Sequence, residues 1–97
     1  MKFTDAKSGV LKAMREQTFQ HEAREAQSEK NLLAIKAVEL EEAIKIIEST
    51  RGSQARCTPH HGDSTVLVWV FRPQNWYVKF YLVDVVWFIS FHRMEPS

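Results

Sequence analysis

Cysteine is almost absent from this sequence. Cys57 stands alone among 97 residues, which excludes an internal disulfide and fits a reducing compartment. Glycine and proline are scarce, three of each, and neither occurs between Gly9 and Gly52. A stretch of that length without either breaker is expected to be helical. Long apolar runs are also missing: the most hydrophobic region is interrupted by Arg72, Pro73, Lys79 and Asp84, too often to span a bilayer. The opening residues Met1-Lys2-Phe3-Thr4-Asp5 carry no apolar export signal, so a cytoplasmic protein without membrane contact is expected. Charge of one sign is lacking as well. Thirteen Lys and Arg balance twelve Asp and Glu, so any contact with nucleic acid must rest on a local patch. No Gly-rich phosphate loop, GxSxG elbow or HExxH motif is present, and the enzyme classes built on them have no support.

What remains is ordinary globular material. A chain of this length holds one core, and 44% hydrophobic with 26% charged residues argues against disorder. The spacing predicts one domain, 1–97, helical over 1–52 and an antiparallel sheet over 53–97. Phe19, Ala23, Ala26, Leu33, Ala37, Leu40, Ile44 and Ile47 step by threes and fours, a helical pattern apart from one interruption at Lys30. A single helix over 18–50 would be roughly 50 Å long. A domain of this size has a radius of gyration of only about 13 Å, so a break is expected at the polar run 27–31. An earlier helix starting near Thr4 or Ser8 carries Val10, Leu11 and Met14 inward. After Gly52 the runs 65–71, 76–83 and 85–91 are rich in β-branched and aromatic residues, with turns at 59–64 and 72–75. Residues 53–58 form a shorter strand leading in. The expected fold is α+β, with N-terminal helices packed on a three- to four-stranded antiparallel sheet.

Strand alternation sets Tyr77, Lys79 and Tyr81 on one face and Trp76, Val78, Phe80 and Leu82 on the other. A lysine between two tyrosines can hold a phosphate and stack a base, or its ammonium can simply snorkel to water. His92 ends the last strand, where an imidazole can move protons near neutral pH or merely close the strand. Arg56 and Arg72 are candidate phosphate anchors. Cys57, His60 and His61 lie close in sequence, but a structural zinc site wants four ligands, so no metal is expected there. Glu39, Glu41, Glu42 and Glu48 read as a solvated helix face.

Five features together carry a family resemblance. They are Arg56, the turn Asp63-Ser64-Thr65, the strand end Val70-Phe71-Arg72-Pro73, then Tyr77-Val78-Lys79, and finally Ser90-Phe91-His92. In order and spacing they resemble the MqsR (motility quorum-sensing regulator) toxins, small messenger-RNA interferases of toxin–antitoxin systems. The first half is similar in architecture alone. The resemblance implies a RelE-like fold, single-stranded RNA as substrate, no cofactor and a cognate antitoxin protein as partner. The family's tyrosine falls on Tyr77, its C-terminal lysine on His92, and the lysine before the Asp-x-Thr turn on Arg56. A family glutamine is replaced by Val68, which cannot make the same hydrogen bonds. By this reading His92 is the acid or base, Tyr77 orients or relays a proton, and Arg56, Lys79 and Arg72 contact phosphate. Tyr81 and Trp76 are the residues expected to stack a base.

A second class of function competes with the first. The aromatic residues Trp69, Trp76, Trp87 and Phe88 would form a dimer or partner interface, and the amphipathic pattern from Phe19 to Ile47 would pair with another helix. The two separate on geometry: a cluster of Arg56, Tyr77, Lys79 and His92 on an open surface favours the nuclease.

Overall fold

Apolar side chains at 3, 6, 10, 13 and 14 make one stripe along the first helix, and those at 40, 43, 44 and 47 make another along the second. A computed structural model describes residues 2–22 and 30–94 of the chain. Its elements are α1 (Phe3–Glu16), β1 (Phe19–His21), α2 (Leu40–Glu48), β2 (Ala55–His60), β3 (Asp63–Phe71), β4 (Trp76–Val83) and β5 (Val85–Arg93). Both stripes turn inward: Ala6, Val10 and Met14 of α1 and Ala43 and Ile47 of α2 are fully buried. They meet Phe71, Val78, Phe80, Phe88 and Phe91, the inner face of the sheet. Gly9 lets α1 approach closely, since a Cβ there would stand 3.3 Å from Leu82 Cδ2. No helix among the described residues is long and apolar enough to cross a membrane.

The fold is α+β, but its sheet departs from expectation. Five strands lie in the order β1-β5-β4-β3-β2, and β1 runs parallel to β5 while the other pairs are antiparallel. The unforeseen strand is β1. Phe19 fits the helical spacing, yet 19–21 extend along β5, where Phe19 and His21 pack on Phe88 at ring distances of 5.5 and 5.8 Å. Open backbone groups on the edge of β5 outweigh local helix propensity there. Leu33 and Ala37 lie in turns, not in a helix. Lys36 takes a left-handed conformation (φ 61°), and the amides of Ala37 and Val38 both return to Leu32 O. Ala23 and Ala26, and most of the break expected at 27–31, lie outside the described residues. The extent of the molecule, 33 × 30 × 29 Å, is shorter than the rod that an unbroken helix would make.

Two local features shape the sheet. The β3–β4 hairpin closes through Gln74 and Asn75, both with positive φ, and Trp76 N donates to Pro73 O at 2.8 Å, a type I′ turn. Farther along, Lys79 pairs with Ser90 but Phe80 pairs with Phe88, so Ile89 is an extra residue in β5. This β-bulge reverses the alternation of β5. Val86, Phe88 and Phe91 point toward the helices, while Trp87, Ser90 and His92 share the opposite face.

The helices are tied together by Lys7, whose Nζ donates to Glu48 O at 2.8 Å and Thr50 O at 2.9 Å. These are carbonyls left without partners at the end of α2, where a cation also suits the helix dipole. Arg15 and Glu48 form a second link at 2.8 Å, with both side chains about half exposed. Lys7→Met keeps the stem and removes the donor, and should cost about 1.5–3 kcal/mol, the range for hydrogen bonds to charged groups. Arg15→Ala should cost less than about 1 kcal/mol, as exposed pairs do. Midpoints of urea unfolding for the two variants, at unchanged slope, check the ranking.

Candidate functional site

The face of the sheet away from the helices is built by register. One row across it runs Arg56 (β2), Val70 (β3), Lys79 (β4) and Ser90 (β5); the next runs Thr58, Val68, Tyr81 and Trp87. Tyr77 and His92 form a directly opposed pair at the other side of Lys79. Sequence alternation along β4 therefore holds: Trp76, Val78 and Phe80 are buried, and Tyr77, Lys79 and Tyr81 are half-buried on the open side. Of the residues singled out from sequence, Arg56, Tyr77, Lys79, Tyr81 and His92 share this one face.

At the rim, the rings of Tyr77 and His92 stack with centroids 5.2 Å apart and planes at 22°. His92 Nδ1 lies 2.9 Å from Arg93 O. A carbonyl only accepts, so Nδ1 carries a proton and Nε2 is left as the nitrogen that can exchange one. Arg72, just beyond β3, lines a cavity of about 280 Å³ together with Arg56, and no carboxylate lines it among the described residues. Two guanidinium groups there form a ready anion contact.

The centre of the face holds a larger cavity, about 390 Å³, lined by Glu22, Thr58, Pro59, His60, His61, Val68, Lys79 and Ile89. Tyr81 stands beside it, stacked on Trp87 at 6.3 Å and met edge-on by His60 at 5.5 Å. Its hydroxyl donates to Glu22 Oε2 at 3.0 Å. Burial first, then the hydrogen bond to Glu22 and the charge of that carboxylate, push the Tyr81 phenol above its ordinary value, so it remains a neutral donor. His60 Nδ1 accepts from Gly62 N at 2.9 Å, which leaves Nε2–H to face outward in the neutral ring.

Glu22 is the participant that sequence reasoning missed. It falls within the segment read as helix, and its place depends on β1 pairing with β5: Glu22 N donates to Phe88 O at 2.9 Å. His60 was foreseen only as a turn residue beside a weak metal motif. Cys57 and His60 belong to opposite faces of β2, since Cys57 opposes the buried Trp69 while His60 touches Tyr81. Trp76 does not join the open face. It is buried toward the helices, with the Arg93 guanidinium 4.5 Å from its ring, because its place in the alternation of β4 is the inner one. Trp69 and Phe88 are buried there too, so the aromatic interface of the competing reading is mostly the core itself.

An alkaline absorbance titration should show a late phenol component. One phenol, Tyr81, should ionise above the ordinary value of about 10. Tyr81→Phe should abolish the late component, and Glu22→Gln should bring it only partly back, since burial is the first cause. A late component that persists in Tyr81→Phe contradicts the assignment.

No family model, curated protein or solved structure matches the chain.

Proposed function

We propose that this chain is a metal-independent endoribonuclease of the toxin–antitoxin kind, acting in the cytoplasm on single-stranded RNA. The observation that carries the reading is the position of Lys79. It lies on an open face with the stacked Tyr77–His92 pair on one side, Tyr81 on the other, and Arg56 in the same row two strands away. Cations bind the phosphate backbone, and aromatic rings stack unpaired bases. The near-zero net charge is no obstacle, since contacts of this kind act within a screening length of about 8 Å.

The chemistry needs only side chains. The ribose 2′-OH attacks the adjacent phosphate as a base takes its proton, and an acid protonates the departing 5′-oxygen. His92 donates that proton from Nε2 while Arg93 O holds Nδ1–H and orients the ring. Tyr77 fixes the imidazole plane by stacking. Lys79, Arg56 and Arg72 offset the negative charge that gathers on phosphate in the transition state. A small acidic antitoxin would cover the same basic face and silence the enzyme.

Purified protein should cleave a mixed-sequence transcript in excess EDTA, leaving 2′,3′-cyclic phosphate and 5′-hydroxyl ends. Intact RNA after long incubation across a range of pH would remove the nuclease reading. His92→Ala should lower kcat by about 100- to 10,000-fold, the usual worth of general acid–base catalysis, with a much smaller effect on RNA binding. His92→Lys should keep some activity and move the falling limb of the pH–rate profile upward, because a lysine holds its proton to about pH 10.

A further inference from the structure

We infer that the central cavity of the open face is a binding site for a guanine nucleotide, with Glu22 and His60 recognising the base and Lys79 holding the phosphate. The inference stands on the lining of that cavity and goes beyond the ribonuclease reading. At about 390 Å³ the space is within the usual range of small-molecule sites. Charges of both signs line it. Glu22 and Lys79 share the cavity, yet the ion pair among the described residues is Arg15–Glu48, so the two are not bonded to each other. A ligand that suits both must bring hydrogen-bond donors to the carboxylate and an anion to the ammonium.

The hydrogen-bond pattern narrows the ligand further. Tyr81 adjoins both base-recognising residues: its hydroxyl donates to Glu22 Oε2 at 3.0 Å, and His60 meets its ring edge-on at 5.5 Å. That hydroxyl uses one of roughly four acceptor sites on the carboxylate, so both oxygens can still accept. His60 Nδ1 accepts from Gly62 N at 2.9 Å, and Nε2–H of the neutral ring is a donor. Two acceptors and a donor match the Watson–Crick edge of guanine, where N1–H and the 2-amino group are adjacent donors and O6 accepts beside them. Adenine and cytosine set an amino donor beside a ring-nitrogen acceptor, and uracil flanks its N–H with carbonyls. All three turn a lone pair toward the carboxylate.

The remaining lining agrees. His60 and His61 stack on each other at 5.0 Å with their planes at 9°, which offers a purine a flat imidazole wall. A cationic ligand is a poor occupant. What an ammonium or guanidinium gains on Glu22 it loses beside Lys79, whereas a neutral base edge gains on Glu22 without that loss.

Calorimetric titration of the full chain with the 5′-monophosphates of guanosine, inosine, adenosine, cytidine and uridine tests the site. The guanosine nucleotide should bind most tightly, and those of adenosine, cytidine and uridine about 5- to 150-fold more weakly, the discrimination typical of a bidentate contact to a base. Inosine monophosphate lacks only the 2-amino group and should fall between; this comparison needs no substitution, so it tests the carboxylate contact in the unaltered chain. Glu22→Gln should remove the advantage of guanosine over adenosine monophosphate. Lys79→Met should weaken all five nucleotides together and leave the binding of free guanosine, which has no phosphate, within a few-fold of the parent. Equal binding of the guanosine and adenosine nucleotides by the parent, no nucleotide binding at millimolar concentration, or a guanine preference that survives Glu22→Gln overturns the site. Tighter binding of glycine than of any nucleotide, the mark of a zwitterion site, overturns it too. None of these outcomes depends on RNA cleavage. A chain that binds guanosine monophosphate and cuts no RNA keeps this site and loses the nuclease reading, and one that cuts RNA and ignores the nucleotide does the reverse.

Discussion

Two phenylalanines in β5 want the same side of the sheet. Phe88 and Phe91 are both fully buried against the helices, yet they stand three residues apart, an odd interval that a regular strand would send to opposite faces. Burying each side chain is worth about 1.5–3 kcal/mol. A lost ladder hydrogen bond costs about 0.5–1.5 kcal/mol. Burial wins, and the strand takes an extra residue at Ile89. The position of His92 follows from that choice: with no bulge, Ser90 and His92 would be in phase with Phe88, inside the core.

The edge of β5 responds to the same irregularity. Before the bulge it pairs with β1 in parallel; after it, Leu32 N donates to Phe91 O at 2.7 Å and Asn31 bridges to Phe91. The two pieces are joined by a contact between Asn31 Nδ2 and His21 Nδ1 at 3.1 Å. The amide donates, so His21 must be neutral at Nδ1, and burial favours that state by lowering its pKa. Glu22 follows immediately in sequence. The packing that seats His21 therefore also delivers a carboxylate to the open face.

Electrostatically the molecule divides by element. Exposed acids such as Glu41, Glu42 and Glu48 sit on α2, while Arg56 and Lys79 belong to the far side of the sheet and Arg72 lines a cavity with Arg56 just beyond the end of β3. An anionic ligand there would meet local cations despite a net charge of +1. Among the described residues, the carboxylate that lines a cavity with Lys79 is Glu22, and its hydroxyl partner Tyr81 marks it as held in place and not merely solvated.

Local periodicity was enough for much of this. The stripe of α1, the inward half of α2, the hairpin strands with their turn at Gln74 and Asn75, and the common face of Tyr77, Lys79 and Tyr81 all follow from spacing and turn chemistry within a few residues. The strand β1, the turns around Leu33 and the place of Glu22 do not. There, short segments with helical spacing were captured by the edge of a strand 59 or more residues away, and long-range pairing leaves no mark on local pattern. The facing of His92 is of the same kind. Two-residue alternation counts correctly only in a strand without a bulge, and the bulge exists because packing of Phe88 and Phe91 against α1 and α2 demands it, a condition that arises only once helices and sheet have come together.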